Sequence, residues 1–154
     1  MPSFLRTPCA LAVAVPVLAL SACGGSDDAT LDKTKLAAKA DAICKSTNAK
    51  LQKLQQPQTI EQAATYYDAL SKGLDAQEAS FKALKPADDV KAQWNAFLAL
   101  VAQNGTKVHA LVDAAKTKDN AKGKATAAQI QALTPKLNAA ADALGAKGCG
   151  SGSA

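Results

Sequence analysis

Beyond residue 29, apolar side chains recur at spacings of three and four, the signature of helices that each bury one face. The first run predicts a helix over Thr30–Gln56, with Leu36, Ala40, Ile43, Thr47, Leu51 and Leu54 on one stripe and Pro57 closing it. A second opens at Thr59-Ile60-Glu61-Gln62, a Thr-x-x-Gln capping box. Its stripe of Ile60, Ala63, Tyr67, Leu70, Leu74, Gln77, Phe81 and Leu84 alternates without a slip, which suits side-by-side helix packing. A third starts at Pro86, sets Asp88 and Asp89 against the positive end of its macrodipole, and turns Val90, Trp94, Phe97, Val101, Val108, Leu111 and Ala115 inward. Asn104-Gly105 is a soft point within it. Gly123 marks a loop, and the box Thr126-Ala127-Ala128-Gln129 predicts a fourth helix with Ile130, Leu133, Leu137, Ala140 and Leu144 inward and Gly145 at its end. Pro135 either kinks this helix or, with Thr134 as a fresh N-cap, starts a new segment; a kink is the expectation.

Four amphipathic helices joined by short loops predict an all-α fold, an antiparallel up-down-up-down four-helix bundle. Composition agrees. Roughly a quarter of the chain is Ala, the strongest helix former, and with only 4% aromatic residues the core must be built largely from small side chains. Ala at inner positions lets helices approach closely and leaves little room for a bulky internal cofactor, although a flared end would open a groove. No cofactor is expected.

The segment before the helices reads differently. Arg6 is followed by a twelve-residue apolar stretch, Cys9 to Leu20, interrupted only by Pro16, which is the length of an export signal and too short to span a bilayer. It ends in Leu20-Ser21-Ala22-Cys23, which resembles the bacterial lipobox: an aliphatic residue, two small residues and a cysteine. That resemblance implies a signal peptide over 1–22, removed by a lipoprotein signal peptidase, with a diacylglyceryl group on the Cys23 thiol as membrane anchor. Two acyl chains hold stably where one is reversible. Gly24-Gly25-Ser26-Asp27-Asp28-Ala29 has the composition of a flexible tether. The expected organisation is therefore signal 1–22, lipidated cysteine and tether 23–29, bundle 30–149 and a mobile Gly/Ser tail 150–154.

Charge narrows the partners. Without Arg6 the chain carries 17 Lys against 13 acidic residues, a net +4, and no Arg. Arg is the usual bidentate reader of phosphate and guanine, and the Lys residues are scattered among acids. A nucleic-acid role is excluded on these grounds, and a solvated Lys-rich surface is the expectation.

Of four cysteines, Cys9 leaves with the signal and Cys23 carries lipid, so Cys44 and Cys149 remain. In an exported protein such a pair reads as a disulfide; a metal-thiolate or redox reading lacks a Cys-x-x-Cys spacing or a second His. The segments Ala-Asp-Ala-Ile-Cys and Leu-Gly-Ala-Lys-Gly-Cys, at residues 40–44 and 144–149, are similar to those of small helical lipoproteins of actinobacteria. This resemblance implies a shared disulfide-linked bundle and supplies no activity.

Candidate chemistry is sparse. His109, the only His, lies beside the third stripe between Gly105 and Asp113, where a structural or surface role outweighs metal or catalytic ones. Asp75 and Glu78 stand one turn apart, as a paired-carboxylate site requires, yet read as a solvated face. Trp94 and Phe97 read as core rather than as a ligand-stacking box. Of the adjacent Tyr66 and Tyr67, the second is the core member, which leaves Tyr66 as the candidate partner contact. No catalytic and no metal site is assigned. The expectation is a lipid-anchored extracytoplasmic interaction module without enzymatic activity, attached to the membrane through Cys23 and facing a protein or envelope partner. The alternative is a ligand-binding lipoprotein holding a small molecule or metal between its helices.

Overall fold

A computed structural model describes residues 30–150; Cys23, the lipobox, the tether and residues 151–154 lie outside them. Four helices run antiparallel in chain order, α1 (Lys33–Leu51), α2 (Ile60–Lys82), α3 (Asp88–Lys116) and α4 (Asn120–Leu144), each packed on the next. Among the described residues there is no strand, only one isolated bridge between Leu31 and Pro86. No helix of the described residues is long and apolar enough to cross a membrane.

α1 is shorter than its hydrophobic pattern at both ends. Leu31 is extended, donating its N–H to Lys85 C=O (2.7 Å) and accepting from Ala87 N–H (2.8 Å), so the chain is pinned to the α2–α3 turn before the helix begins. Asp32 then caps α1, its carboxylate accepting from Lys35 N–H at 2.9 Å. At the other end α1 stops at Leu51, whose side chain reaches Gly73 of α2 so closely that an added Cβ there would lie 2.8 Å from Leu51 Cδ2.

The capping box of α2 forms in altered shape. Thr59 Oγ1 accepts from Gln62 N–H (3.3 Å), but Gln62 Oε1 reaches past the cap to Gln58 N–H (2.8 Å), stitching the α1–α2 connection to the helix. In α3, Gly105 is buried within an uninterrupted helix, so the soft point is no break.

The start of α4 corrects the sequence reading. It begins at Asn120 rather than Thr126, because Asp119 accepts from Lys122 N–H at 2.9 Å and provides a cap that the downstream box obscured. Thr126 is instead buried inside the helix, and Gly123 is helical too, facing Ala114 of α3 where a small residue permits close approach. The α3–α4 link is only Thr117-Lys118-Asp119, with Lys118 in the left-handed region (φ 54°) and Asp119 N–H returning to Ala114 C=O (2.8 Å). Pro135 lies inside α4, which runs through it without splitting. Gly145 takes left-handed backbone (φ 85°) and Ala146 N–H bonds to Ala141 C=O (2.9 Å), the ending expected of a C′ glycine.

The core is concentrated where the start of α1, the ends of α2 and α4 and the start of α3 meet. Phe81, Trp94 and Phe97 are each 1% exposed, with centroids 5.3–5.7 Å apart, and Phe81 presents its edge or face nearly perpendicular to both partners. Leu36, Ala40, Val90, Ala141 and Leu144 close around them. The Cys44–Cys149 disulfide is present (Cα–Cα 5.2 Å) and joins mid-α1 to the segment after α4. Gln77, the one polar member of the α2 stripe, directs its amide at Cys44 Sγ (3.5 Å). Asp41 accepts from Gly148 N–H at 2.8 Å, so the Ala-Asp-Ala-Ile-Cys and Leu-Gly-Ala-Lys-Gly-Cys segments meet in a second contact besides the bridge.

Candidate functional site

α3, with 29 residues, is about 43 Å long at 1.5 Å per residue, whereas α1 has only 19. The far turns of α2, α3 and α4 therefore extend past α1, and the connection of residues 52–59 crosses the gap. Two concavities result at this end of the bundle.

The larger, about 850 Å³, lies between the connection and the outer face of α2. Lys53, Leu54, Gln55, Gln56, Pro57 and Gln58 form one wall, and Glu61, Gln62, Thr65, Tyr66 and Ala69 the other. Pro57 removes an N–H and biases its neighbour away from helix, which keeps the connection open rather than wound. The Gln62–Gln58 bond fixes its return into α2. Tyr66 is half-buried here rather than fully exposed: its ring meets Tyr67 edge-on (5.3 Å, 71°) and its hydroxyl accepts from Gln56 Nε2 at 3.2 Å. At the rim Glu61 is bonded by Lys118 Nζ of the α3–α4 link (2.9 Å), and that ammonium is the main reason its carboxyl is held below the usual range.

The smaller concavity, about 260 Å³, is the open end of the bundle interior. Ala63 and Tyr67 of α2, Leu111, Ala114 and Ala115 of α3, and Gly123 and Ala127 of α4 line it, with no residue of α1. Tyr67 is thus half-buried in this cleft rather than packed in the core. A third cavity of about 110 Å³ sits inside the bundle beside Cys44, Cys149, Gln77 and Phe97.

His109 stands on the α2–α3 surface, half exposed, with Nε2 3.0 Å from Asp75 Oδ1. Its carboxylate partner comes from α2, not from Asp113 on its own helix. Asp75 and Glu78 do not form a pair: Glu78 is bridged to Lys82 (2.5 Å), while Asp75 faces His109. Two turns before Asp75, Asp68 binds Lys72 at 2.7 Å; this hydrogen bond lowers the Asp68 pKa and raises that of Lys72. Ser71, the one buried serine of α2, spends its hydroxyl on Asp68 C=O (2.9 Å). Trp94 and Phe97 are each 1% exposed and pack against one another.

Among the described residues, no group of three or more His, Cys, Asp or Glu side chains is placed to hold a metal ion. The structure therefore unites Cys44 with Cys149 and sets Tyr66 in the groove of about 850 Å³, while Asp75 bonds His109 and Glu78 bridges to Lys82. The Gln-rich wall of that groove is not legible as a site in the sequence, because glutamines in a loop carry no spacing signal; the one cue is four within eight residues, at 55, 56, 58 and 62. Taken together, fold and site define a small disulfide-linked helical module with a Gln-lined groove at one end. No protein-family model, curated protein or solved structure matches the chain.

Proposed function

We propose that this chain is a lipid-anchored, extracytoplasmic interaction module without enzymatic activity, held to a membrane through lipid on Cys23 and presenting the Tyr66 groove to a protein or envelope partner. The supporting observation is the polarity of the bundle. The tether joins at Leu31, which is bonded to the α2–α3 turn, and the groove lies at the opposite, α1–α2 end. The seven residues 24–30 reach about 25 Å at full extension, against about 43 Å for α3, so an anchor at Cys23 leaves the groove unobstructed. Tyr66 supplies the amphipathic aromatic surface that interface anchors commonly use.

A photo-crosslinking side chain at position 66 of the full chain, compared with one at exposed Gln93 near the tethered end, tests this in cells. Adducts from position 66 alone, lost with Cys23→Ser and retained with His109→Gln, are expected. Equal labelling from both positions, or loss with His109→Gln at unchanged stability, contradicts the reading. The second reading, a lipoprotein that holds a small molecule between helices, draws support from the apolar α2–α3–α4 cleft. Its test is a ligand-induced rise in melting temperature that Tyr67→Ala abolishes.

A further inference from the structure

We infer that the Tyr66 groove takes a neutral, hydroxyl-rich ligand: a short saccharide. This deepens the proposed function and rests on the groove being its partner-facing surface. A volume of about 850 Å³ lies in the ~300–1,000 Å³ class of small-molecule sites, with room for more than one sugar ring. The walls combine side-chain amides with a larger share of apolar surface. A side-chain amide offers donors and acceptors together, as a sugar hydroxyl does, and the groove holds four Gln side chains. Gln62 uses its carbonyl on the chain itself, which leaves its NH₂ for a ligand; Tyr66 accepts from Gln56, which leaves its O–H to donate. The Tyr66 ring, Leu54 and Pro57 provide apolar surface for the C–H face of a sugar ring.

Charge and shape argue against other classes. Among the described residues lining the groove, Lys53 and Glu61 are the only ionised side chains, and the Glu61 carboxylate is engaged by Lys118. An anion meets one lysine beside a carboxylate, and a cation meets a carboxylate already paired. Among the described residues no sheet edge is present to bind an extended peptide.

The test is ligand-observed NMR and calorimetry on the full lipidated chain in detergent. The probes are maltotriose, cellotriose and the N-acetylglucosamine trimer, set against a Gly-Ser hexapeptide and inorganic phosphate. At least one trisaccharide should bind saturably. Tyr66→Ala should weaken it by about tenfold or more, Tyr66→Phe by about 2–10-fold for one lost hydrogen bond, and Asn95→Ala not at all. Melting curves of each variant exclude misfolding. Absence of saturable binding by every trisaccharide, tighter binding of peptide or phosphate, or full binding by Tyr66→Ala overturns the inference. If crosslinks at position 66 persist while no sugar binds, the ligand class fails alone; if both fail, the groove loses its role altogether.

Discussion

Replacing Cys149 by Ser opens a loop of 105 residues, nearly the whole bundle. The chain-entropy relation gives about 4.8 kcal/mol of lost stability for a loop of this length, an upper figure because measured values cluster at ~2–4 kcal/mol. For a domain of about 120 residues, with an unfolding entropy near 2.1 cal/mol/K per residue, 1 kcal/mol corresponds to about 4 °C. The expected fall in melting temperature is therefore ~8–19 °C. The native contacts around the bridge should survive, since Asp41 still binds Gly148 N–H and Ala146 remains fully buried. Circular dichroism melts of Cys149→Ser, Cys44→Ser and reduced wild type should agree within a few degrees, with helix content unchanged before melting. A shift below about 3 °C, or two titratable thiols in protein isolated without reductant, would refute the reasoning.

Other perturbations probe separate parts of the account. Phe81→Ala, which empties the centre of the aromatic trio, should cost ~3–5 kcal/mol by chemical denaturation. Gly145→Ala places a Cβ in left-handed backbone and should cost ~1 kcal/mol, whereas Gly105→Ala, in regular helix with its nearest neighbour 3.6 Å away, should be neutral or stabilising. Asp32, Glu61 and Asp68 have folded pKa values below their unfolded ones, so their contribution is complete above the ordinary carboxylate range and fades as pH falls through the folded values. Melting temperature measured from pH 6 to pH 2 should therefore decline, and Glu61→Gln should make that decline shallower; an unchanged slope speaks against the Lys118 pairing.

Helix count, order and inward stripes were legible because apolar periodicity reports burial directly. Residues such as Leu36, Ala40, Phe81, Trp94, Phe97 and Leu144 stand inside as their spacing requires. Boundaries were less legible, since caps compete: Asp119 wins over Thr126 by bonding Lys122 N–H, and no local pattern reveals which of two good caps starts the helix. Leu31 has helical spacing but is drawn into extended backbone by the α2–α3 turn, a long-range effect invisible in a window of neighbours. The disulfide was readable from cysteine arithmetic. The Asp41–Gly148 bond, Asp75–His109 and the Gln-lined groove were not, because each depends on which helix faces which, and at what height.

Intact-mass and N-terminal peptide analysis of the full chain extracted from the membranes of a bacterial host tests the central claim most directly. The account predicts a mature chain beginning at Cys23, heavier than its amino-acid mass by a diacylglyceryl group, and a Cys23→Ser form without that mass. A chain that retains residues 1–22, or one cleaved elsewhere with an unmodified Cys23, would contradict it.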